Sequence, residues 1–121
     1  MKEIQLGIAE SRFADMIWES EPVTTTELVK LAEKEFEWKR TTAHTVIRRL
    51  CDKGLFQNEH GTVTALIRRE EFYAAQSRQY VQSTFAGSLP AFIAAFTKGK
   101  RLSAEEAEEI RKMIDEAQER S

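Results

Sequence analysis

The chain has few of the residues that staple or break small proteins: of 121 residues, five are glycine, two proline and one cysteine. A single cysteine cannot form an internal disulfide, which fits a reducing cytoplasm. Nothing is repeated or low-complexity, which excludes collagen-like and linker-like chains. No apolar run approaches the ~20 residues of a membrane span. The opening Met1-Lys2-Glu3-Ile4 leads into no long apolar stretch with a small-residue cleavage site, so no secretory signal is expected. Charge of one sign is also lacking: 18 Lys and Arg stand against 20 Asp and Glu, a net −2. Taken whole, that balance argues against a nucleic-acid partner. What is present is a 41% apolar fraction, too high for a disordered chain. The length allows one domain, or one compact domain with a smaller appendage.

Hydrophobic spacing predicts a helix over about 8–20, where Ala9, Phe13 and Ile17, then Ala14 and Trp18, recur at three and four residues. Ser20-Glu21-Pro22 ends it, because the residue before a proline disfavours helix. Thr24 and Glu27 have capping-box spacing and open a second helix with Leu28, Leu31, Ala32 and Phe36 inward. A third runs from about Arg40 to Lys53 and stops at Gly54. The period then changes. From Leu55 to Ile67 two short extended runs flank Gly61, which predicts a β-hairpin. Three short helices followed by a hairpin is the order of a winged helix-turn-helix module.

The third helix carries the chemistry. Ala43, Val46, Ile47, Leu50 and Cys51 form one apolar stripe, and Thr41, His44, Thr45 and Arg48 lie opposite. Arg40 stands at the entrance and Arg49 at the flank. Between Trp38 and Phe56, Lys39, Arg40, Arg48, Arg49 and Lys53 face only Asp52, a local +4 that leaves −6 elsewhere. The acidic total therefore hides a basic helix. Hydroxyls, a histidine and arginines on an outward face suit a major groove, where Thr can meet a base edge and Arg can pair with guanine or phosphate. The plain alternative is an ordinary solvated face. The hairpin tip, Asn58 to Thr62, carries no Lys or Arg, so only weak backbone contacts are expected there, through His60. It could equally be a simple connection.

No catalytic, metal or cofactor site is expected. His44, His60 and Cys51 share no metal-ligand spacing, and Cys51 falls on the apolar stripe. A Gly-rich phosphate loop and a glycine-flanked serine are both lacking. Glu105, Glu106, Glu108 and Glu109 crowd one helix start, where they favour the helix dipole in solvent.

After Arg68-Arg69-Glu70-Glu71 the pattern is helical again, so the expected modules are 1–69 and 70–121. One helix spans about 70–86. A second starts at Ser88 and is apolar almost all round, with Leu89, Phe92, Ile93 and Phe96 among Ala91, Ala94 and Ala95; such a helix must be buried. A last helix opens with Ser103 and Glu106 and carries Ala107, Ile110, Met113, Ile114 and Ala117. Tyr80, Phe85, Leu89, Phe92, Ile93, Phe96, Ile110, Met113 and Ile114 are too many for about fifty residues to hide, when burial of each contributes ~1.5–3 kcal/mol. Dimerisation through these nine is the economical expectation; folding back onto the first module is the alternative.

Several stretches together resemble the penicillinase-repressor family, often called BlaI/MecI, which also includes copper-responsive repressors. They are Ala9-Glu10 with Phe13, Ile17 and Trp18; Trp38, Thr42, Thr45, Val46-Ile47, Arg49-Leu50 and Lys53-Gly54-Leu55; Phe85-Ala86-Gly87-Ser88-Leu89; Ala94-Ala95-Phe96; and Leu102-Ser103-Ala104-Glu105-Glu106 leading to Ile110-Arg111-Lys112. The resemblance implies a cytoplasmic dimeric repressor with an N-terminal winged helix and a C-terminal helical dimerisation region, a mainly α chain with a small β-hairpin (α+β). It implies that Thr42, His44, Thr45 and Arg48 face the groove and that Arg49 lies near the backbone. Typical members control β-lactam resistance genes and are inactivated when a membrane sensor-protease triggers cleavage in the dimerisation region. The corresponding point is Ala95-Phe96, where Ala95 replaces the family's usual Asn, and Ser11 stands where an aromatic is usual. The paired C-terminal cysteines of copper-responsive members are absent, and the hairpin is several residues shorter than usual. The residues predict a dimer that binds DNA at a pseudo-palindromic site, which the resemblance makes a repressor's operator; a helical protein-interaction module is the alternative.

Overall fold

A computed structural model describes residues 6–120; the reading of Met1-Lys2-Glu3-Ile4 falls outside them. Helix α1 (Ile8–Ser20) buries Phe13, Ala14 and Ile17, the residues one face of its period selects. It stops before Pro22, and the Glu21 N–H closes the last turn on the Ile17 carbonyl at 2.8 Å.

The next residues form a strand that periodicity does not reveal. Strand β1 (Val23–Thr24) pairs antiparallel with β3 (Thr62–Ala65), and β3 also pairs with β2 (Phe56–Glu59). The expected two-stranded hairpin is thus a three-stranded sheet of order β1-β3-β2. Two residues cannot display an alternation, so β1 exists only through its partner. Its end overlaps the cap of α2 (Thr25–Phe36): the Thr24 hydroxyl oxygen accepts from the Glu27 N–H at 3.1 Å. The Glu27 carboxylate, however, accepts from the Thr24 hydroxyl at 3.0 Å, so the reciprocal half of a capping box is redirected.

Glu37, at φ 57°, closes α2 in the left-handed region without glycine, and the chain passes through Trp38 and Lys39 into α3 (Arg40–Asp52). Gly54, at φ 84°, terminates α3, with the Leu55 N–H returning to the Leu50 carbonyl at 3.2 Å. Val23, Leu28, Ala32, Ala43, Val46, Ile47, Leu50, Leu55, Phe56 and Val63 extend the core begun by α1. Aromatic rings bracket it: Phe36 stacks on Trp38 at 4.7 Å, and Trp18 lies 5.0 Å from Phe56. The order α1-β1-α2-α3-β2-β3 is that of a winged helix.

Helix α4 (Arg69–Phe85) starts where the change of character at 68–71 is expected. Phe72 is buried in the same core, 5.6 Å from the Trp18 ring, and the Trp18 indole N–H donates to the Ile67 carbonyl at 3.0 Å. These contacts give the first half of α4 to the winged helix. The chain divides into two compact units at Gln79 and Tyr80, inside α4, ten residues beyond the 69/70 boundary read from composition.

In the second unit, Ser88 caps α5 (Leu89–Thr97) by accepting from the Ala91 N–H at 3.1 Å. Ser103 caps α6 (Ala104–Glu119) through the Glu106 N–H at 3.0 Å. Phe92 meets Tyr80, Phe85 and Phe96 at ring distances of 6.2, 5.5 and 6.0 Å. That aromatic row packs beside the half-buried Val81, Leu102, Ala107 and Ile110. Burial of α5, expected from its composition, is not found within the chain: no residue of α5 or α6 is buried. A nine-residue helix has too few neighbours in so small a unit to cover every side. Phe85, Phe92 and Ile110 are half-buried, whereas Tyr80, Leu89, Ile93, Phe96, Met113 and Ile114 are exposed.

Candidate nucleic-acid interface

Four buried side chains, Ala43, Val46, Ile47 and Leu50, fix the rotation of α3 about its axis. The opposite face is set by that choice: Thr41, Thr42, Thr45, Arg48 and Arg49 are exposed and His44 is half-exposed. Lys39 and Arg40, at the start of the helix, are exposed as well. All the α3 residues singled out from the sequence therefore share one continuous outward surface.

The charges on that surface are not equal. Lys53 pairs with Glu10 at 3.4 Å, a partner 43 residues away, so one of the five local cations is already engaged. Among the described residues no carboxylate lies within ion-pair distance of Lys39, Arg40, Arg48 or Arg49. These four are left for an anionic partner. The Thr45 hydroxyl donates to the Thr41 carbonyl at 2.9 Å. Its hydrogen is used along the helix, so outward it offers an acceptor and a methyl group. An acceptor can take a base N–H₂ donor and a methyl can meet a thymine methyl.

Between α3 and β2, His44, Ile47, Arg48, Cys51 and Asn58 line a cleft of about 260 Å³. Asn58 is absent from the residues picked out by charge, yet period two was a usable signal: it shares the face of Phe56, which is buried. Burial, and then the neighbouring Asp52 charge, push the Cys51 thiol above its ordinary pKa. It stays protonated at neutral pH and behaves as an apolar wall of the cleft.

The hairpin turn has two residues, since Glu59 faces Thr62 across it. His60 and Gly61 both take positive φ, 53° and 88°, which is the type I′ pattern that matches strand twist. The Asn58 amide oxygen accepts from the Gly61 N–H at 2.9 Å and stiffens the tip. His60 is exposed there with no basic neighbour in the turn. The nine apolar residues expected to pair two chains all lie in the second unit, from Tyr80 onward. None of the described helices is long and apolar enough to cross a membrane.

Residues 6–116 match the penicillinase repressor family. A penicillinase repressor of Bacillus licheniformis is 28% identical over 121 residues, spanning 96% of this chain and 94% of the relative. The methicillin resistance regulatory protein MecI of Staphylococcus aureus is 20% identical, spanning 94% of this chain and 96% of its own. A solved relative is the Bacillus licheniformis BlaI monomeric form in complex with the blaP half-operator, in solution, at 27% identity and a TM-score of 0.49 over 58% of this chain and 90% of that one. With a family match that runs over almost its whole length, and a winged helix whose third helix presents a basic face, this chain belongs to the penicillinase repressor family.

Proposed function

We propose that this chain is half of a dimeric, sequence-specific DNA-binding repressor that acts in the cytoplasm without catalysing a reaction. The observation that carries the reading is the outward face of α3, where four cations with no ion-pair partner among the described residues accompany Thr41, Thr42 and Thr45. Lys39, Arg40 and Arg49 contact phosphates and supply affinity; Thr42, Thr45 and Arg48 read base edges, flanked by Thr41 and His44. His60 at the short turn adds little. Tyr80, Leu89, Ile93, Phe96, Met113 and Ile114 are exposed and apolar, and a second copy covers them, with Phe85, Phe92 and Ile110 behind. Dimerisation presents two α3 helices to a pseudo-palindromic operator, which compensates for the small footprint of each. Repression follows from occupying a promoter; the relatives' designation as repressors supports it.

Titration of the protein with random duplex DNA at two salt concentrations tests this. Three phosphate-binding cations per protomer make six per dimer, so log K against log salt should fall with a slope of about −5. Undetectable binding at low salt would instead favour a protein-interaction module.

A further inference from the structure

The hairpin carries no Lys or Arg, yet one of its residues holds hydrogen-bond donors ready for an anion. Asn58 of β2 lies across the 260 Å³ cleft from His44 and Arg48 of α3, and no carboxylate is among the described residues that line it. Glu59, the next residue of β2, falls on the other face of the strand by alternation. The Asn58 amide is oriented by its own turn. A backbone N–H can only donate, so the atom that meets the Gly61 N–H at 2.9 Å is the amide oxygen, and the N–H₂ group is left on the other side. Among the described residues no acceptor takes either of its hydrogens, and Asn58 is exposed. The positive φ of His60 and Gly61 holds the turn in which this bond forms.

What these donors meet follows from dimensions. A helix with its side chains is about 10–12 Å across, and the major groove is about 12 Å wide. With α3 in the groove, base edges lie under the helix, and a group standing beside it faces the phosphates that wall the groove. Recognition of adenine would need the oxygen and the N–H₂ group of one Asn side by side, and here the oxygen is turned to Gly61. We propose that the Asn58 N–H₂ group binds a DNA phosphate at the edge of the groove that α3 occupies. The wing then contributes through its strand, not through His60 at its tip. A neutral donor neutralises no phosphate, so this contact adds affinity without steepening the salt dependence. The inference rests on the DNA-binding reading above.

Two full-length variants separate a phosphate contact from a role in the turn alone, measured on a duplex carrying one consensus half-site selected with the wild-type protein. Asn58→Ala loses both the turn bond and the donors, and should weaken binding by about 10-fold, the scale of a hydrogen bond to a charged group, with the salt slope unchanged. Asn58→Asp keeps an oxygen for the Gly61 N–H but puts a negative charge where the donors were. It should bind at least about 10-fold more weakly still, because like charges are then opposed. The same duplex with one phosphate at a time replaced by neutral methylphosphonate locates the contact. At one position the wild type should lose affinity and Asn58→Ala should lose no more. Asn58→Asp binding like wild type, with only Asn58→Ala weakened, would make the residue a turn element and overturn the inference while leaving the DNA reading intact. Identical methylphosphonate profiles for wild type and Asn58→Ala would overturn it too. A wild-type protein that selects and binds no DNA would overturn both.

Discussion

Replacement of Phe96 by Asp is expected to turn the protein into a folded monomer and to weaken binding to a paired operator by about 100-fold or more, the usual scale of lost bivalency. Phe96 is 54% exposed in the single chain, between Phe92 at 6.0 Å and the Lys100 ammonium at 5.4 Å. A carboxylate there is solvated in the monomer and even has a cation nearby, so the unit should keep its fold. In a dimer the same carboxylate enters an apolar interface, where an unpaired buried charge costs several kcal/mol. Phe92→Asp is the cruder experiment. Phe92 is half-buried and touches three rings, so its loss removes packing within the unit along with the interface. Light scattering after size exclusion at micromolar concentration separates the cases. Phe96→Asp should elute as a monomer with wild-type helical content and bind a single half-site normally. A variant that remains dimeric would remove this face from the interface.

Arg48→Ala should cost about 1–3 kcal/mol per half-site, roughly 5- to 150-fold, and relax preference at one position in each half. Arg48 is exposed, has no acidic partner among the described residues, and lines the cleft with His44 and Asn58. A bidentate guanidinium there reads O6 and N7 of guanine, and neither alanine nor lysine reproduces that pair of donors. Arg49→Ala is the internal comparison. From the flank of the helix it should weaken all sequences alike and reduce the salt slope by about one per protomer. Binding measured on a panel of single-base operator variants distinguishes the two patterns. Uniform weakening by Arg48→Ala would make Arg48 a phosphate contact.

Local signals were legible in the sequence and long-range ones were not. Thr24, Ser88, Ser103 and Gly54 mark helix ends because each acts on backbone groups within a few residues, and all four do so here. The stripe of α3 was legible for the same reason: its period and its charges lie in thirteen consecutive residues. Strand β1 was not, since its pairing with β3 joins residues some forty positions apart and a two-residue strand has no period. Glu37 closes α2 at positive φ without the glycine that would announce it. Within the site, Lys53 counts as a free cation in any local sum, yet Glu10 engages it across 43 residues. The composition of α5 demands cover but does not say whose. The helix is uncovered in the single chain, which moves its burial from folding to assembly.

Two basic α3 faces, brought together by dimerisation of the second unit, are proposed to read a symmetric DNA site. Selection of bound sequences from a pool of random duplexes with the full-length protein tests it most directly. Enrichment of two inverted copies of one short motif is expected, centred about one helical turn of ~10 base pairs or a multiple of it apart. Recovery of a single unpaired motif, or no enrichment over the starting pool, would contradict it.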